Sequence, residues 1–403
     1  MKNLILSWLG LAAIASASAE TAPVWEMESP DGNIKVAIGQ NNATPVFNVS
    51  YQGKEVCAGD LGLFTSDADF SRNLQLKSPG TTESFTETYD LVHGKKKSVS
   101  NSGNRRTASF SNADGDEIEL EVKVFNDGLA FRYVMPNPDN KKITFTGEAT
   151  SFTFPADAPR WMQKYVTSYE GDFPRQNGAT ASGEWGYPAL FEASEGVFTL
   201  LTEAGTSRMY CATHLSNSAE SRTYTIAYPG AGEGNGIGAV NPVWTGKWES
   251  PWRVLIIGNL NDIVESTLVE DVSQPCVVED TSWIEPGRAA WVYWAYNHGT
   301  KDFKICQSYV DLAAAMGWEY VLFDWEWDEM GNGGRLEDAV KYALSKGIQP
   351  LMWYNSGGPH NGVGSTPRDR MLTHESRVKE FTWLRSLGVA GVKIDFFESD
   401  KQY

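Results

Sequence analysis

Carboxylates and tryptophans alternate after one apolar run of the 403-residue chain. The run 320–324 is followed by Trp325, Glu326, Trp327, Asp328 and Glu329. Carboxylates exchange protons and accept hydrogen bonds from hydroxyl groups, and indole rings stack on the C–H faces of sugars. The segment therefore indicates a carbohydrate site around Asp324 and Glu326, which share one side if the strand continues through them. The alternative is a solvated acidic loop with packed tryptophans.

A second apolar run places a lysine and an aspartate on one face. Within residues 391–397, Lys393 and Asp395 alternate with apolar side chains, so the two charges point the same way. Burying a charge is costly unless it is paired. Either the two residues form a structural ion pair, or Asp395 is a functional carboxylate that the neighbouring ammonium keeps ionised.

Other candidate chemistries have less support. The run 349–355 ends in Asn355 without a carboxylate, so an acid–base group facing Asp395 must come from the run 320–324 or from beyond the sequence. Trp294, at the end of another apolar run, either lines the same pocket or packs in a core. The five histidines are scattered, which argues against a zinc site or a serine triad.

Alternating strands and helices must position these residues. Strands are predicted at residues 290–296, 320–324, 349–355 and 391–397, with helices at 302–316, 336–346 and 367–387. The carboxyl ends of parallel strands share one rim, where the candidate residues would meet. Since a (β/α)8 barrel has eight such units, residues 286–403 are predicted to be the first half of one, and the sequence is expected to be partial.

The preceding part of the chain has the pattern of an all-β domain. From residue 33 to about residue 251, short alternating runs are separated by turn residues. Residues 118–124 alternate, Asn126-Asp127-Gly128 supplies a turn, and residues 129–133 run back, which predicts a hairpin. We expect a large β-sandwich over residues 20–285.

The composition and the N-terminal residues limit the binding partners and the cellular compartment that we expect for the protein. Residues 1–19 combine a lysine, an apolar run and a small-x-small end, which predicts a signal peptide and export to the periplasm or the cell exterior. The formal net charge of −17 argues against nucleic acid and anionic membranes as partners. No later segment is apolar over a membrane-spanning length. The four cysteines are irregularly spaced, so we expect them to be buried or free.

Several motifs, in this order, resemble glycoside hydrolase family 97 over nearly the whole chain after the leader. They are FNDGLAFRY at residues 125–133, PWRV at 251–254 and SWIEPG at 282–287. The resemblance implies an N-terminal β-super-sandwich, a catalytic (β/α)8 barrel and a catalytic calcium ion. It also implies one of two subgroups: inverting α-glucosidase-like members have a glutamate base on the third strand, and retaining α-galactosidase-like members have an aspartate nucleophile on the fourth.

On this resemblance Asp395 is the nucleophile of an exo-acting, retaining α-galactosidase-like enzyme whose substrate is an oligosaccharide. Roles for other residues are also implied. Lys393 would bind sugar hydroxyls and keep Asp395 ionised; Glu326, backed by Asp324, would bind other hydroxyls; Trp294 would line the pocket; and Glu184 would either supply one calcium ligand or be an ordinary loop acid. The acid/base glutamate is expected beyond Tyr403, so the 403-residue chain alone is expected to be inactive.

Two other functions stay open at this point. An inverting α-glucosidase would need a base on the third strand, where none is found. A non-catalytic glycan-binding protein would need no acid. The sequence fixes neither the sugar nor the linkage, because specificity depends on a few hydroxyl contacts, and it does not indicate an oligomeric state.

Overall fold

The computed structural model describes residues 24–155, 158–177 and 182–402, so the predicted signal peptide lies outside the described residues. The first part of the described chain is almost entirely β-structure. Its strands are β1 (Trp25–Glu28), β2 (Ile34–Asn41), β3 (Thr44–Tyr51), β4 (Lys54–Asp60), β5 (Leu63–Thr65), β6 (Gln75–Ser78), β7 (Glu83–Asp90), β8 (Ser98–Ser111), β9 (Glu117–Phe125), β10 (Gly128–Met135), β11 (Lys142–Glu148), β12 (Ser151–Thr153), β13 (Arg160–Trp161), β14 (Arg175–Gln176), β15 (Gly183–Trp185), β16 (Ala189–Ser194), β17 (Val197–Ala204), β18 (His214–Asn217), β19 (Thr223–Ala227), β20 (Val243–Thr245), β21 (Trp248–Glu249) and β22 (Trp252–Gly258).

These strands form two large antiparallel sheets and a small one. The first has eight strands in the order β1-β2-β3-β4-β12-β19-β18-β15. The second has eleven, with the main path β14-β13-β16-β17-β22-β10-β9-β8-β6, while β21 pairs with β10 and β7 with β8. The third joins β20, β11 and β5. The predicted hairpin is confirmed: β9 and β10 are antiparallel, with Phe125 opposite Gly128 at the turn.

Aromatic side chains join the two large sheets into a sandwich. Phe47 of β3 lies 5.4 Å from Phe131 of β10, measured between ring centroids, and 5.9 Å from Phe152 of β12. All three rings are buried in one apolar core that collects the inward-facing residues of both sheets. Burial of this apolar surface is the main stabilising contribution to the sandwich, as the alternating sequence pattern predicts.

The second part of the described chain alternates strands and helices. Its elements are α1 (Leu260–Glu265), α2 (Leu268–Val272), β23 (Ala289–Trp291), α3 (Phe303–Met316), β24 (Tyr320–Phe323), α4 (Leu336–Ser345), β25 (Gln349–Asn355), α5 (His374–Leu387) and β26 (Gly391–Asp395). Strands β23 to β26 form one parallel sheet in sequence order. The predicted succession of βα units is therefore confirmed, and the carboxyl ends of its four strands lie on one rim.

Local signals set the helix boundaries. The Asp302 side chain caps α3 by accepting hydrogen bonds from the backbone N–H groups of Lys304 and Ile305. Helices α3 and α5 end at Gly317 and Gly388, whose left-handed backbone (φ 64° and 92°) is best tolerated by glycine.

The strand predicted at 391–397 ends at Asp395, and two other predicted boundaries differ more from the structure. The strand predicted at 290–296 ends at Trp291, because the next residues turn and the N–H of Tyr296 bonds the carbonyl of Val292. The helix predicted from residue 367 begins at His374, capped by Thr373, because the backbone carbonyl of Pro367 accepts a hydrogen bond from Asn355 of β25 instead of starting a helix.

The states of the cysteines and the lengths of the helices agree with what the sequence predicts. All four cysteines are free, and all but the exposed Cys276 are buried. Among the described residues, no helix combines the length and apolarity that crossing a bilayer requires.

Candidate active site

Asp395 lies at the carboxyl end of β26 with its side chain about one third exposed. Its Oδ2 accepts a hydrogen bond from Nε1 of Trp353 at 2.8 Å and lies 3.3 Å from Nζ of Lys393. Its Oδ1 accepts from the backbone N–H of Phe396 at 3.0 Å. The carboxylate is thus oriented by three donors while remaining accessible.

Lys393 joins two carboxylates. Its ammonium lies 3.3 Å from Asp395 and 3.4 Å from Oδ2 of Asp324, and 4.5 Å above the Trp291 ring. The lysine side chain remains 34% exposed, so part of its hydrogen-bonding capacity faces solvent. The arrangement is an ion pair and also an open polar site, so the two alternatives drawn from the sequence do not exclude each other.

Asp324 lies one residue past the end of β24 and is buried, with 3% of the residue exposed. Its Oδ2 accepts a hydrogen bond from Nε1 of Trp291 at 2.6 Å, and its Oδ1 accepts from the backbone N–H of Trp325 at 2.9 Å. The carboxylate therefore fixes the Trp291 indole, the backbone at Trp325 and the lysine beside Asp395.

Glu326 is also largely buried, but it is not on a strand. Strand β24 ends at Phe323, and the Glu326 backbone has a φ of 66°, so the two-residue alternation that was expected to align Glu326 with Asp324 does not extend to it. Its Oε2 lies 2.7 Å from Nδ1 of His298, and its Oε1 lies 3.3 Å from Nζ of Lys301. The reading of this segment as a solvated acidic loop is wrong for both carboxylates, since each is buried and partnered.

Trp294 lies in the turn after β23, with 82% of the residue exposed. Its ring centroid is 5.1 Å from that of Trp291, which bonds Asp324. A core position for Trp294 is therefore wrong; the indole lies on the surface next to the polar cluster.

Asn355 ends β25 and is 1% exposed. Its Oδ1 accepts hydrogen bonds from the backbone N–H of Gly358 and from Nδ2 of Asn361. Asn361 in turn donates to the backbone carbonyl of Phe396 at 2.9 Å. The asparagine therefore shapes the loops around Asp395, and an amide side chain in this position cannot act as a general base.

Glu184 lies on β15, with its side chain 61% exposed and 3.6 Å from Nε2 of the buried His214. This distance is too long for a hydrogen bond. Calcium prefers six to eight oxygen ligands. In the described ranges of the chain, His, Cys, Asp and Glu side chains nowhere come together in threes as a metal-binding group. Glu184 and an imidazole do not by themselves fit calcium, so no chemical step is assigned to the ion.

The sequence singled out Asp395, Lys393, Asp324, Glu326 and Trp294, and the structure brings all five to the rim of the parallel sheet. Glu184 lies in the sandwich, apart from the contacts of this cluster. Sequence reasoning missed Trp353 as a donor to Asp395, Trp291 as a donor to Asp324, and Lys301 as a partner of Glu326. Their tryptophan and lysine types were visible, but no sequence spacing reveals which residues of neighbouring strands and loops meet.

Two family models match the chain. The model described as Glycosyl-hydrolase 97 N-terminal matches residues 27–275, and the model described as Glycoside hydrolase 97 matches residues 290–403. The break between the two matches falls where antiparallel strands give way to βα units.

Curated relatives carry related descriptions. A probable retaining alpha-galactosidase of Streptomyces bingchenggensis is 30% identical over 100% of this chain and 63% of its own length. A retaining alpha-galactosidase of Bacteroides thetaiotaomicron is 22% identical over 98% of this chain and 63% of its own. The chain thus spans 63% of the length of these relatives.

Solved structures give the same picture. A beta-arabinopyranosidase superposes with a TM-score of 0.87 at 31% identity, covering 94% of this chain and 63% of that one. A family 97 enzyme of Pseudoalteromonas in complex with acarbose superposes with a TM-score of 0.79 at 20% identity, covering 93% of this chain and 59% of that one, and supports the fold alone.

Proposed function

The chain belongs to glycoside hydrolase family 97. From that premise we propose that it is part of an exo-acting hydrolase that cleaves α-galactosides with retention of configuration, and that Asp395 is the nucleophile. The observation that carries the proposal is the geometry of Asp395. It is a partly exposed carboxylate at a strand's carboxyl end, oriented by Trp353, Lys393 and a backbone N–H.

The proposed chemistry has two steps. A carboxylate oxygen of Asp395 bonds to the anomeric carbon while the glycosidic bond breaks and a carboxylic acid protonates the leaving oxygen. Water, deprotonated by the same second carboxyl group, then attacks that carbon and releases Asp395. We assign the second group to no described residue, because Asp324 and Glu326 are buried, whereas the Asp395 side chain is partly exposed.

The remaining polar residues suit the sugar being released. Lys393 retains exposed donor capacity beside Asp395, and Glu326 with His298 supplies acceptor and donor positions on the adjacent loop. Exposed Trp294 offers a ring for stacking on a sugar face. We propose that these groups bind the hydroxyls of the terminal sugar.

A second substrate has specific support. The beta-arabinopyranosidase, at 31% identity, is a relative whose sugar differs from galactose in one group. A β-L-arabinopyranoside has the ring configuration of an α-D-galactoside and lacks only the exocyclic hydroxymethyl group. A site that binds the ring hydroxyls of one sugar therefore binds those of the other, and discrimination depends on the space around that single group.

Three further proposals complete the picture. Residues 286–403 are proposed to be the first half of a (β/α)8 barrel that follows a β-super-sandwich at 20–285, which the four parallel strands in sequence order support. Export is proposed from residues 1–19 and is checked by sequencing the N-terminus of the secreted product. A calcium requirement is proposed from the family alone and is checked by activity after chelation and calcium readdition.

The deciding experiment uses the full-length protein and two aryl glycosides, para-nitrophenyl α-D-galactopyranoside and β-L-arabinopyranoside. NMR of the first product should show the anomer of the substrate, and Asp395→Asn should lower kcat by more than about 1,000-fold. Asp395→Gly with azide should form a glycosyl azide of inverted configuration. Asp311→Asn, an exposed acid on α3, is the matched control and should retain activity.

The remaining functions are outcomes of the same experiment. An inverted first product would replace the nucleophile with a general base, as in an inverting α-glucosidase. Sugar binding without hydrolysis of any α-glycoside would indicate a glycan-binding protein. Either result would overturn the proposed role of Asp395.

A further inference from the structure

A cavity of about 300 Å³ lies between the sandwich and the segment that follows β26. One wall is formed by residues 394–400, including Asp395, and the other by residues 167–170 of the sandwich. Its volume is at the lower end of the range for small-molecule sites. Lys393, Asp324 and Trp353 do not line it. Asp395 therefore stands between the polar cluster on the sheet rim and a second space shared with the sandwich.

Two tyrosines hold the walls of the cavity together. The hydroxyl groups of Tyr169 and Tyr165 both donate hydrogen bonds to Oδ2 of Asp400, and the bond from Tyr165 is 3.0 Å long. The Tyr165 hydroxyl also lies 2.9 Å from Oε1 of Glu233, whose Oε2 accepts from the backbone N–H of Asp400 at 3.1 Å. Burial raises the pKa of Asp400 above its ordinary value, and the tyrosine hydrogen bonds oppose the shift. We call Tyr165, Tyr169 and Asp400 the latch.

The two residues after Asp400 strengthen the same junction. Nζ of Lys401, a buried residue, donates to the backbone carbonyls of Ala231, Glu233 and Ile237 at 2.8, 2.9 and 3.3 Å. The Gln402 side chain accepts from the backbone N–H of Val243 and donates to its carbonyl. The segment that leaves the strand of Asp395 is therefore fixed on the sandwich.

The backbone on both walls is strained. Tyr169, Phe396 and Glu398 line the cavity with φ angles of 54°, 56° and 48°, a left-handed conformation that is unfavourable for residues with a side chain. Such residues persist only where the surroundings enforce them, and they concentrate at ligand sites. Here the latch and the anchored segment supply that constraint.

We infer that the sandwich wall at residues 167–170 is a subsite for the sugar leaving group, with Ser168 and Glu170 binding its hydroxyls, and that the latch positions this wall. The inference rests on the proposed function. Ser168 and Glu170 are exposed and line the cavity. The groups suited to the terminal sugar lie with Lys393, Asp324 and Glu326. When the anomeric carbon of that sugar contacts Asp395, the leaving-group sugar on its other side can therefore contact the sandwich wall.

The first test compares leaving groups in the full-length protein. Glu170→Gln and Ser168→Ala are assayed with an α-galactosyl disaccharide and with the para-nitrophenyl galactoside, whose leaving group carries no sugar hydroxyls. We expect kcat/KM for the disaccharide to fall about tenfold, as for loss of one hydrogen bond to a charged or polar group, and the aryl value to change less than about twofold. Glu195→Gln, an exposed sandwich acid outside the cavity, is the control.

The second test removes one hydroxyl of the latch. Tyr169→Phe should raise KM for the disaccharide severalfold with little change in aryl kcat. Tyr89→Phe, which removes a tyrosine–aspartate hydrogen bond elsewhere in the sandwich, should leave both unchanged. Equal losses on both substrates, or no loss on the disaccharide in any of the variants, would overturn the subsite. A wild-type protein that hydrolyses neither substrate would instead contradict the proposed function.

Discussion

The indole Nε1–H of Trp353 donates a hydrogen bond to Oδ2 of Asp395 across two neighbouring parallel strands, at 2.8 Å. Trp353 pairs in register with Lys393 and Asn355 with Asp395, so the indole reaches two residues along the partner strand. Trp353 is 1% exposed, so the indole is enclosed by its neighbours. A buried donor of this kind fixes one carboxylate oxygen, while the other accepts a hydrogen bond from the backbone N–H of Phe396.

Replacing this donor should reduce the rate more than the affinity. In the full-length protein we expect Trp353→Phe to lower kcat about 100-fold and to change KM less than about threefold. The rate falls because a small displacement moves the carboxylate out of line with the anomeric carbon. Steady-state kinetics with the aryl galactoside measure both. Trp244→Phe removes an indole donor to the backbone of Lys247 in the sandwich and should have no effect on kcat. A rise in KM alone for Trp353→Phe would contradict the role.

The sequence patterns predicted most of the fold, and the reason is local. Alternating apolar and polar residues identified the β9–β10 hairpin, and the succession of predicted strands and helices identified the βα units. The strand around Trp294 was predicted too long, since apolar aromatic residues that pack on the rim look the same in sequence as residues inside a strand. Trp353, Trp291 and the latch were not predicted, because contacts between neighbouring strands or across about 230 residues of sequence leave no periodic signal.

The most buried charges of the sandwich should also be among the most important for its stability. Arg253 is fully buried, and its guanidinium nitrogens lie 2.5 Å from a carboxylate oxygen of Glu148 and 2.5 Å from one of Glu203. Removing the guanidinium leaves two carboxylates in an apolar core, so Arg253→Met should lower the free energy of unfolding by about 3–5 kcal/mol. Urea unfolding followed by tryptophan fluorescence measures the change.

A surface pair supplies the comparison for Arg253. Arg105 and Glu83 are 3.0 Å apart and both are more than half exposed. Arg105→Met should therefore change the free energy of unfolding by less than about 1 kcal/mol. Similar losses for the two arginine variants would show that burial does not decide the cost.

Asp271 should make stability depend on pH. Burial raises the pKa of its carboxyl above the ordinary value of 3.8, against the hydrogen bonds from Asn101 and Tyr89. The folded protein therefore holds this proton more tightly than the unfolded chain, so the contribution is present below pH 3.8 and is lost as the pH rises through the folded pKa. As the pH rises from below 3.8 through the folded pKa, wild type should therefore lose stability relative to Asp271→Asn.

Urea unfolding at several pH values, with both proteins in the same buffers, tests this dependence. Tyr89→Phe adds a second readout, since loss of its hydrogen bond to Asp271 should raise the carboxyl pKa further and extend the loss of stability to higher pH. A constant difference in stability between wild type and Asp271→Asn over the whole range would refute the assignment.

The loop after β25 leaves no room for a side chain at Gly357. A side chain there should therefore disturb the neighbouring backbone that follows Asp395. A Cβ there would lie 2.3 Å from the backbone carbonyl oxygen of Phe396 and 2.7 Å from Nδ2 of Asn361, which itself bonds that carbonyl. The φ of −78° is open to any residue, so Gly357→Ala is opposed by these contacts and not by backbone strain. We expect it to displace the residue next to Asp395 and lower kcat about 100-fold. Gly362→Ala, whose Cβ would meet nothing within 4 Å, should keep full activity and the same melting temperature. If Gly357→Ala is as active as Gly362→Ala in the full-length protein, the packing of this loop does not position the nucleophile.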